Sequence, residues 1–276
     1  MTATPLARVA AVQMVSSTRV DDNLQTAATL IEEAAGTGAQ LVALPEYFCL
    51  MGQRDTDKVA VREPDGSGPI QDFLAGQARR HRLWLVGGTL PLVAAEQDRV
   101  MNSVLVYGPD GARVARYDKI HLFRFTKGSE TYDEAQTIAP GSQVSTFIFA
   151  PEGGPRLTVG LSVCYDLRFP ELYRAMPRPD LILVPAAFTA TTGKAHWELL
   201  LRARAVENLA YVLAPAQGGR HENGRSTFGH SMLVDPWGTV LASRPDGPGV
   251  VFGDVDPQVI AACRASLPAL EHRTLC

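Results

Sequence analysis

The sequence lacks the features that mark several specialised classes of protein. Its four cysteines are spread over 276 residues without a Cys-x-x-Cys pair, which excludes a disulfide scaffold and the usual zinc motifs. No apolar run reaches the roughly 20 residues of a membrane-spanning helix, and the first residues do not form a secretion signal. The net charge is −3 without a long basic run, so neither nucleic acid nor a membrane surface is expected as a partner. These absences together predict a cytoplasmic protein.

The chain does contain a regular alternation of strand-like and helix-like segments. Hydrophobic residues make up 46% of it, enough for a large core, and no linker or repeat divides it. We therefore predict one α/β domain over residues 1–276, with two stacked sheets and helices outside. The segment 126–141 has no pattern and is long enough for a functional loop. Strands are predicted at 7–15, 41–44, 83–90, 100–107, 112–117, 144–150, 157–163, 181–185, 211–214, 231–234, 239–243 and 250–255, and helices at 21–35, 70–78, from 170, 196–210 and 257–265.

Cys164 lies where a predicted strand meets a predicted helix. Apolar residues alternate from Leu157 to Val163, which is the period of a strand. Pro170 and Glu171 follow, and both residue types favour the first turn of a helix. A thiol at this junction leaves the carboxyl end of a sheet beside helix N–H groups that favour an anion. The position therefore predicts a nucleophile.

A nucleophilic thiol needs a base or a cation beside it, because the pKa of free cysteine is about 8.5. Histidine is the usual base, and the chain has six histidines, none at a diagnostic spacing from Cys164. Two other polar residues occupy apolar surroundings: Glu46 ends the run from Leu41, and Lys119 precedes Ile120. Buried charges are either paired or functional, whereas each of these alone also fits a strand-end charge at the surface. Both kinds of activator stay open at this point.

Three segments, in chain order, resemble the signature segments of the nitrilase (carbon–nitrogen hydrolase) superfamily. They are Leu44-Pro-Glu46, Tyr117-Asp-Lys119-Ile-His and Cys164-Tyr-Asp-Leu-Arg-Phe-Pro-Glu171. The similarity runs from Val9 to about Leu275, and residues 193–207, 229–240 and 267–273 resemble the branch that contains deaminated glutathione amidase and ω-amidase. The resemblance implies an α-β-β-α sandwich, a homodimer or higher homo-oligomer, and no metal or organic cofactor.

The resemblance also implies a role for each catalytic residue. Glu46 is the expected general base, and Cys164 the nucleophile that forms a thioester with the substrate. Lys119 is expected to stabilise the tetrahedral oxyanion together with the backbone N–H of Tyr165. Glu134 occupies the place of a second glutamate that often supports this site, although a solvated loop acid is an equal alternative.

Arg168 is the residue that we expect to determine substrate specificity. A cation in the first turn of a helix opposes the helix dipole and needs an anionic partner, which is Asp166, Glu171 or a substrate carboxylate. In the branch that the chain resembles, the arginine four residues after the cysteine holds an α-carboxylate. Thr192 and His196 are implied to line the same pocket, and a helix-start residue bonded to backbone is the alternative for His196.

The expected function is hydrolysis of deaminated glutathione or a related 2-oxo acid amide, a small-molecule substrate that bears a carboxylate. Other reactions of the superfamily are alternatives, namely those of an ω-amidase, an N-carbamoyl amidohydrolase or a nitrilase. A hypothesis of a different class is a non-catalytic scaffold or thiol sensor on the same fold. The complete set of Glu46, Lys119 and Cys164 argues against it.

Overall fold

The computed structural model describes residues 5–128 and 130–274. Its α-helices are α1 (Val20–Gly36), α2 (Asp57–Ala60), α3 (Pro69–His81), α4 (Pro170–Ala175), α5 (Ala190–Asn208) and α6 (Pro257–Ser266), and two 3-10 turns span Glu134–Gln136 and Cys164–Arg168. Its strands are β1 (Ala7–Gln13), β2 (Leu41–Ala43), β3 (Trp84–Val86), β4 (Leu90–Val93), β5 (Val100–Tyr107), β6 (Arg113–Asp118), β7 (Arg124–Lys127), β8 (Glu130–Asp133), β9 (Ile138–Ala139), β10 (Thr146–Phe149), β11 (Leu157–Leu161), β12 (Leu181–Leu183), β13 (Tyr211–Ala214), β14 (Gly218–Arg220), β15 (Ser226–Phe228), β16 (Ser231–Val234), β17 (Val240–Arg244) and β18 (Gly249–Val255).

Two large sheets stack face to face between helices, which confirms the α-β-β-α sandwich. The first sheet has the order β18-β1-β2-β3-β5-β4, with β6 and β9 also paired to β5. The second sheet has the order β10-β11-β12-β13-β16-β17. Helices α1 and α3 cover the outer face of the first sheet, and α5, with α4 against it, covers the second. Within the described residues, no helix combines the length and the apolar character needed to cross a bilayer.

Strand β1 is covered on both faces, which is why its sequence is a nearly continuous apolar run. Val9 and Ala11 point into the core between the two sheets, whereas Ala10 and Val12 point into the core under α1 and α3. All four side chains are fully buried. A strand that is covered on both faces needs apolar residues at every position, not at alternate ones.

Helix α5 begins at Ala190, six residues before the predicted start at His196. The hydroxyl of Thr189 accepts a hydrogen bond from the backbone N–H of Thr192 at 3.2 Å, which caps the helix earlier than its apolar stripe indicates. The buried face carries Trp197, Leu201 and Ala205. The sequence predicts a different apolar stripe for this helix, formed by Leu199, Ala203, Val206 and Ala210. Two residues of that predicted stripe, Leu199 and Val206, are 67% and 43% exposed. The apolar stripe of this helix is therefore largely a surface feature.

Residues 126–141 are not the unstructured loop that the sequence predicts. Strands β7 and β8 form an antiparallel hairpin there, followed by the 3-10 turn Glu134–Gln136 and by β9, which pairs with β5. The hairpin side chains are largely charged or exposed, so no buried apolar face reveals the strands in the sequence. The last residue of the hairpin, Asp133, precedes Glu134. The hairpin therefore determines where the carboxylate of Glu134 lies.

The predicted strand 83–90 is divided by a turn at Gly88. The φ angle of Gly88 is 53°, and a Cβ atom there would lie 2.1 Å from the carbonyl oxygen of Pro45. Next to it, the hydroxyl of Thr89 accepts a hydrogen bond from the backbone N–H of Tyr47 at 2.9 Å. This turn therefore packs directly against the residues on both sides of Glu46.

The carboxyl ends of parallel strands meet at one edge of the sandwich. Strands β1, β2 and β3 run parallel in the first sheet, and β11, β12 and β13 in the second. Glu46 lies three residues beyond β2, and Cys164 three residues beyond β11. Ala187 follows β12. Ligand sites in α/β proteins lie at such carboxyl ends.

We expect Gly88→Ala to lower the free energy of unfolding by at least about 1–2 kcal/mol, because alanine is strained at this φ and its Cβ overlaps Pro45. Gly76→Ala is the matched control, since a Cβ at this position of α3 meets no atom within 4 Å. It should raise the free energy of unfolding by up to about 1 kcal/mol. Urea unfolding measures both. Equal effects of the two substitutions would contradict the close packing at Gly88.

Candidate active site

Glu46 is a buried carboxylate with three hydrogen-bond donors fixed around it. One oxygen, Oε1, accepts hydrogen bonds from Asn102 Nδ2 at 3.0 Å and from Lys119 Nζ at 2.9 Å. The other, Oε2, accepts the backbone N–H of Ala187 at 2.9 Å. Asn102 belongs to the first sheet, while Ala187 follows a strand of the second. The carboxylate is therefore held between the two sheets at their carboxyl edge.

Lys119 carries a fully buried ammonium group between two carboxylates. Its backbone N–H donates to the carbonyl of Asn102 at 3.0 Å, which fixes the residue just beyond β6. Nζ lies 2.9 Å from Glu46 Oε1, and 2.9 and 2.8 Å from the two oxygens of Glu134. A buried cation is tolerated only with such pairing, because desolvation of an unpaired charge costs several kcal/mol.

Glu134 lies at the start of the 3-10 turn that follows the β7–β8 hairpin. Besides Lys119, its carboxylate accepts the hydroxyl of Tyr47 at 2.8 Å and the backbone N–H of Phe123 at 2.7 Å. The structure therefore brings Glu134 to the other predicted site residues, and the interpretation as a solvated loop acid is wrong.

Cys164 occupies a strained turn at the edge of the second sheet. Its φ angle is 50°, a left-handed conformation that costs a non-glycine residue about 1–3 kcal/mol. Its backbone N–H donates to the carbonyl of Pro185 at 2.9 Å. The side chain lines the pocket described below, and the backbone N–H of Tyr165, next in the chain, donates to no acceptor within the described residues. That N–H is free to bind an oxygen of a ligand.

The charges in this cluster shift its pKa values in directions that suit proton transfer. Burial, reinforced by the negative charge of Glu46, raises the pKa of the Cys164 thiol well above its ordinary range. Burial also raises the pKa of Glu46, against the opposing charge of Lys119. Burial alone would lower the pKa of Lys119, but the carboxylates of Glu134 and Glu46 outweigh it and raise the pKa. Glu46 is thus a stronger base than an exposed carboxylate, beside a thiol that is protonated at neutral pH.

These residues share one pocket with an empty volume of about 730 Å³, counted to its open mouth. All six histidines lie in the described ranges and none lines the pocket, so the hypothesis of a Cys–His pair finds no support. The lining residues are Glu46, Tyr47, Met51, Asp55, Lys58, Phe123, Tyr132, Asp133, Glu134, Cys164, Tyr165, Arg168, Ala187, Phe188, Thr189, Thr192, Arg225, Ser226 and Thr227.

Arg168 lines this pocket without a carboxylate partner among the described residues. Its two terminal nitrogens lie 3.3 Å from His196 Nδ1, and its guanidinium lies over the ring of Phe188 at 5.6 Å. Asp166, one of its predicted partners, is buried and bonded to other groups, and Glu171 makes no ion pair with it. Arg168 belongs to the 3-10 turn that precedes α4, not to the first turn of that helix. Neither of the two protein carboxylates predicted as partners, Asp166 and Glu171, therefore pairs with Arg168.

Thr192 and His196 stand in different relations to the pocket. Thr192 lines it, is 6% exposed, and shares a hydrogen bond of 2.9 Å between its hydroxyl and that of Thr189. His196 is exposed and lies outside the lining, and it reaches the pocket only through Arg168. The alternative of a backbone-bonded helix-start residue is wrong for His196, because Nδ1 is bonded to a guanidinium.

The sequence analysis does not identify several residues that line the pocket or bond to Glu46. Asn102 interrupts the apolar strand β5, and a buried amide in such a run is a signal that could have been read. Tyr47 directly follows Glu46. Asp55 and Arg225, which form an ion pair at 2.6 Å across the pocket mouth, lie in polar loop segments that carry no signal. Within the described ranges, no three His, Cys, Asp or Glu side chains are grouped to hold a metal ion.

The fold and the buried thiol at its edge are those of a hydrolase that acts on carbon–nitrogen bonds. The profile of the carbon-nitrogen hydrolase family matches residues 8–265, and the chain belongs to this family. It is 41% identical over 268 residues to the deaminated glutathione amidase of Synechocystis sp. strain PCC 6803, covering 96% of this chain and 97% of that relative. The human omega-amidase NIT2 is 37% identical over 272 residues, covering 96% and 94%.

A solved structure extends this similarity to the fold. Nit3 of Saccharomyces cerevisiae, a member of branch 10 of the nitrilase superfamily, superimposes with a TM-score of 0.87 at 31% identity. The match covers 98% of this chain and 97% of Nit3. The chain is therefore a hydrolase of carbon–nitrogen bonds other than peptide bonds, as expected from its sequence.

We expect iodoacetamide to alkylate Cys164 slowly at pH 7 and faster at each higher pH, up to and beyond pH 9. The reason is that only the thiolate reacts, and burial raises the pKa of this thiol. Peptide-resolved mass spectrometry separates Cys164 from the half-buried Cys263, which serves as the internal control. A rate for Cys164 that levels off below pH 7 would contradict the raised pKa.

Proposed function

We propose that the chain hydrolyses the amide bond of deaminated glutathione or a related 2-oxo acid amide, with Glu46, Lys119 and Cys164 as its catalytic residues. The observation that carries this proposal is the guanidinium of Arg168, which lines the pocket of Cys164 and has no carboxylate partner among the described residues. An anionic substrate would supply that partner, and the relatives named above are amidases.

In the proposed acylation step, Cys164 Sγ attacks the amide carbon while Glu46 accepts the thiol proton. The carbonyl electrons move onto oxygen, and this oxyanion accepts hydrogen bonds from Lys119 Nζ and the backbone N–H of Tyr165. Glu46 then gives its proton to the amide nitrogen, the C–N bond breaks, and the amine or ammonia leaves. The acyl group stays on Cys164 as a thioester.

In the proposed deacylation step, a water molecule takes the place of the departed amine. Glu46 accepts a proton from this water as its oxygen attacks the thioester carbon. Collapse of the second tetrahedral intermediate breaks the C–S bond, and Sγ of Cys164 recovers a proton from Glu46. The products are a carboxylic acid and the regenerated thiol, so one carboxylate serves every proton transfer.

Glu134 is proposed to support Lys119 without reacting itself. An ammonium has three N–H donors, and in the structure Lys119 directs them at Glu46 and Glu134. When an oxyanion forms, one donor can turn from Glu134, whose carboxylate keeps Tyr47 and the backbone N–H of Phe123 as partners. Glu134 thus balances the charge of the cation and releases one of its donors at low cost.

An ω-amidase reaction is the second candidate for the same site. A 2-oxo acid with a simple terminal amide would use Arg168 and Cys164 in the same way, and the human omega-amidase NIT2 is among the relatives. The size of the pocket favours a longer substrate, because its lining continues past Cys164 to the Asp55–Arg225 pair. Polar groups of both signs there suit a substrate with a peptide-like leaving group.

Two further expectations from the sequence stay predictions. A homodimer is supported by an exposed apolar patch on the outer helical layer: Leu199 and Val206 on α5 and Trp237, whose neighbour Gly238 packs against Val206. Large apolar patches of this kind mark interfaces in other proteins. The cytoplasm stays the predicted compartment.

We expect Cys164→Ala to abolish hydrolysis while leaving the thermal unfolding temperature within a few degrees of the wild type, because alanine fills most of the same buried space. Ammonia and amine release should be measured for deaminated glutathione, a 2-oxo acid ω-amide, an N-carbamoyl amino acid and a nitrile. Cys263→Ala is the matched control and should retain full activity. Undiminished turnover by the Cys164 variant would overturn the proposed mechanism, and a preference for the last two substrates would overturn the proposed substrate class.

We expect Arg168→Gln to reduce kcat/KM for the 2-oxo acid amide by roughly 10- to 100-fold, mainly through a higher KM, since a hydrogen bond to a charged group contributes about 1.5–3 kcal/mol. The same amide without its carboxylate should lose less than about threefold. Arg202→Gln, on the exposed face of α5, is the control and should change neither substrate. Equal losses on the charged and uncharged amides would show that Arg168 does not bind the carboxylate.

A further inference from the structure

A second buried carboxylate, Asp166, lies behind the site and does not line the pocket. Its side chain is fully buried, accepts three hydrogen bonds and lies within hydrogen-bond distance of a histidine ring. Oδ1 accepts the backbone N–H of His121 at 3.0 Å and lies 2.7 Å from the ring Nδ1 of the same residue. Oδ2 accepts the hydroxyl of Tyr117 at 2.7 Å and the backbone N–H of Val163 at 2.8 Å. Each carboxylate oxygen of Asp166 therefore has two partners within the protein.

The hydrogen bonds of Asp166 involve residues close in sequence to two of the proposed catalytic residues. Tyr117 and His121 lie two residues before and two residues after Lys119, at the end of the first sheet. Val163 immediately precedes Cys164, and Asp166 follows it by two residues, at the edge of the second sheet. One carboxylate therefore ties the segment of the lysine to the turn of the cysteine across the interface of the two sheets.

Both tied segments need such a restraint. Cys164 holds a left-handed φ of 50°, which a short turn keeps only when its surroundings fix it. The bond from the Val163 N–H to Asp166 closes this turn on the amino-terminal side of the cysteine. On the other side, the ring of His121 stacks on Phe169 with centroids 3.7 Å apart and an interplanar angle of 6°, so its orientation towards Asp166 is fixed.

We propose that Asp166 is a positioning residue that sets the distance between Lys119 Nζ and Cys164 Sγ, and thereby the placement of the oxyanion between them. This inference rests on the proposed roles of Lys119 and Cys164. It assigns Asp166 no contact with the substrate and no proton transfer. Its effect is on kcat, because misplacing a catalytic group by about 1 Å can cost roughly 100-fold in rate.

The first test is Asp166→Asn, which keeps the size of the side chain but turns an N–H₂ group towards at least one of the present donors. We expect kcat for the 2-oxo acid amide to fall by about 100-fold, with KM within about threefold of the wild type because Arg168 is unchanged. Asp180→Asn is the matched control. Asp180 also accepts a backbone N–H and pairs with a distant arginine, Arg264, but lies at the opposite end of its strand. It should lose stability without losing kcat.

The second test uses the rate at which iodoacetamide alkylates Cys164, which needs no turnover and so stands even if the proposed function fails. The charge of Lys119 favours the thiolate. Displacing it should therefore slow alkylation about tenfold in Asp166→Asn and in Lys119→Met alike. In the double variant with both substitutions, the alkylation rate should differ less than about twofold from that of Lys119→Met alone. The reason is that no ammonium is left for Asp166 to position. A merely structural role predicts additive effects.

Tyr117→Phe is a second variant that tests the proposal even if the Asp166→Asn protein does not fold. It removes one donor from Asp166 and keeps the ring, and we expect roughly tenfold lower kcat at unchanged KM. Tyr173→Phe is its control, a buried tyrosine nearby whose hydroxyl donates to Ser162 at 3.0 Å instead. Wild-type kcat in both folded variants, a rise in KM alone, or faster alkylation of Cys164 would each overturn the proposal. Retained turnover in Cys164→Ala would instead refute the proposed function.

Discussion

The buried ammonium of Lys119 is the constraint on which the site depends. A cation without solvent is stable in a protein only when anions surround it, and here two carboxylates lie within 2.9 Å of Nζ. Glu46 comes from the end of β2 and Glu134 from the 3-10 turn after β8, so the pairing fixes three separate segments of the chain at one point. Asn102 and the backbone N–H of Ala187 donate the remaining hydrogen bonds to the carboxylate of Glu46. The second sheet is thereby attached to the first at the edge where Cys164 emerges.

The same electrostatics determine how the thiol can react. A thiolate at Cys164 would stand beside the carboxylate of Glu46 in a largely buried position, and burial together with this charge raises the pKa of the thiol. The resting site therefore holds a neutral thiol next to a carboxylate whose own pKa is raised. In the proposed mechanism, proton transfer between them becomes favourable only as sulfur begins to bond to carbon and its charge passes to the substrate oxygen, close to Lys119. The proposed nucleophile is thus generated during attack and is not stored as a free anion.

Much of the fold could be predicted from the sequence, and the reasons for the misses are physical. Buried strands such as β1 and β13 have nearly continuous apolar runs that identify them. The β7–β8 hairpin lacks such a run because it is held by backbone pairing over the pocket with largely exposed side chains. The true start of α5 depends on the hydroxyl of Thr189, which the apolar stripe does not reveal.

The site residues also differ in how far the sequence alone identifies them. Glu46 and Lys119 could be recognised as polar residues in apolar surroundings, but no local pattern predicts that they meet. Their proximity depends on how two sheets stack, and the resemblance to a known family supplied it. Arg168 was selected for opposing a helix dipole, although it lies before the helix begins. The stronger reason to propose that Arg168 binds a substrate carboxylate is that it has no carboxylate partner among the described residues, which the sequence could not reveal.

The 3-10 turn from Cys164 to Arg168 separates two tasks within five residues. In a 3-10 helix, residues three apart lie on the same side. Tyr165 and Arg168 are such a pair and both line the pocket, whereas Asp166 is fully buried and does not line it. The pair faces the pocket, and Asp166 fixes the turn to the core. Under the role proposed for Arg168, a change of substrate would leave the bonds of Asp166 in place, because the two side chains have different hydrogen-bond partners. The proposed nucleophile would then keep one geometry for amides of different charge.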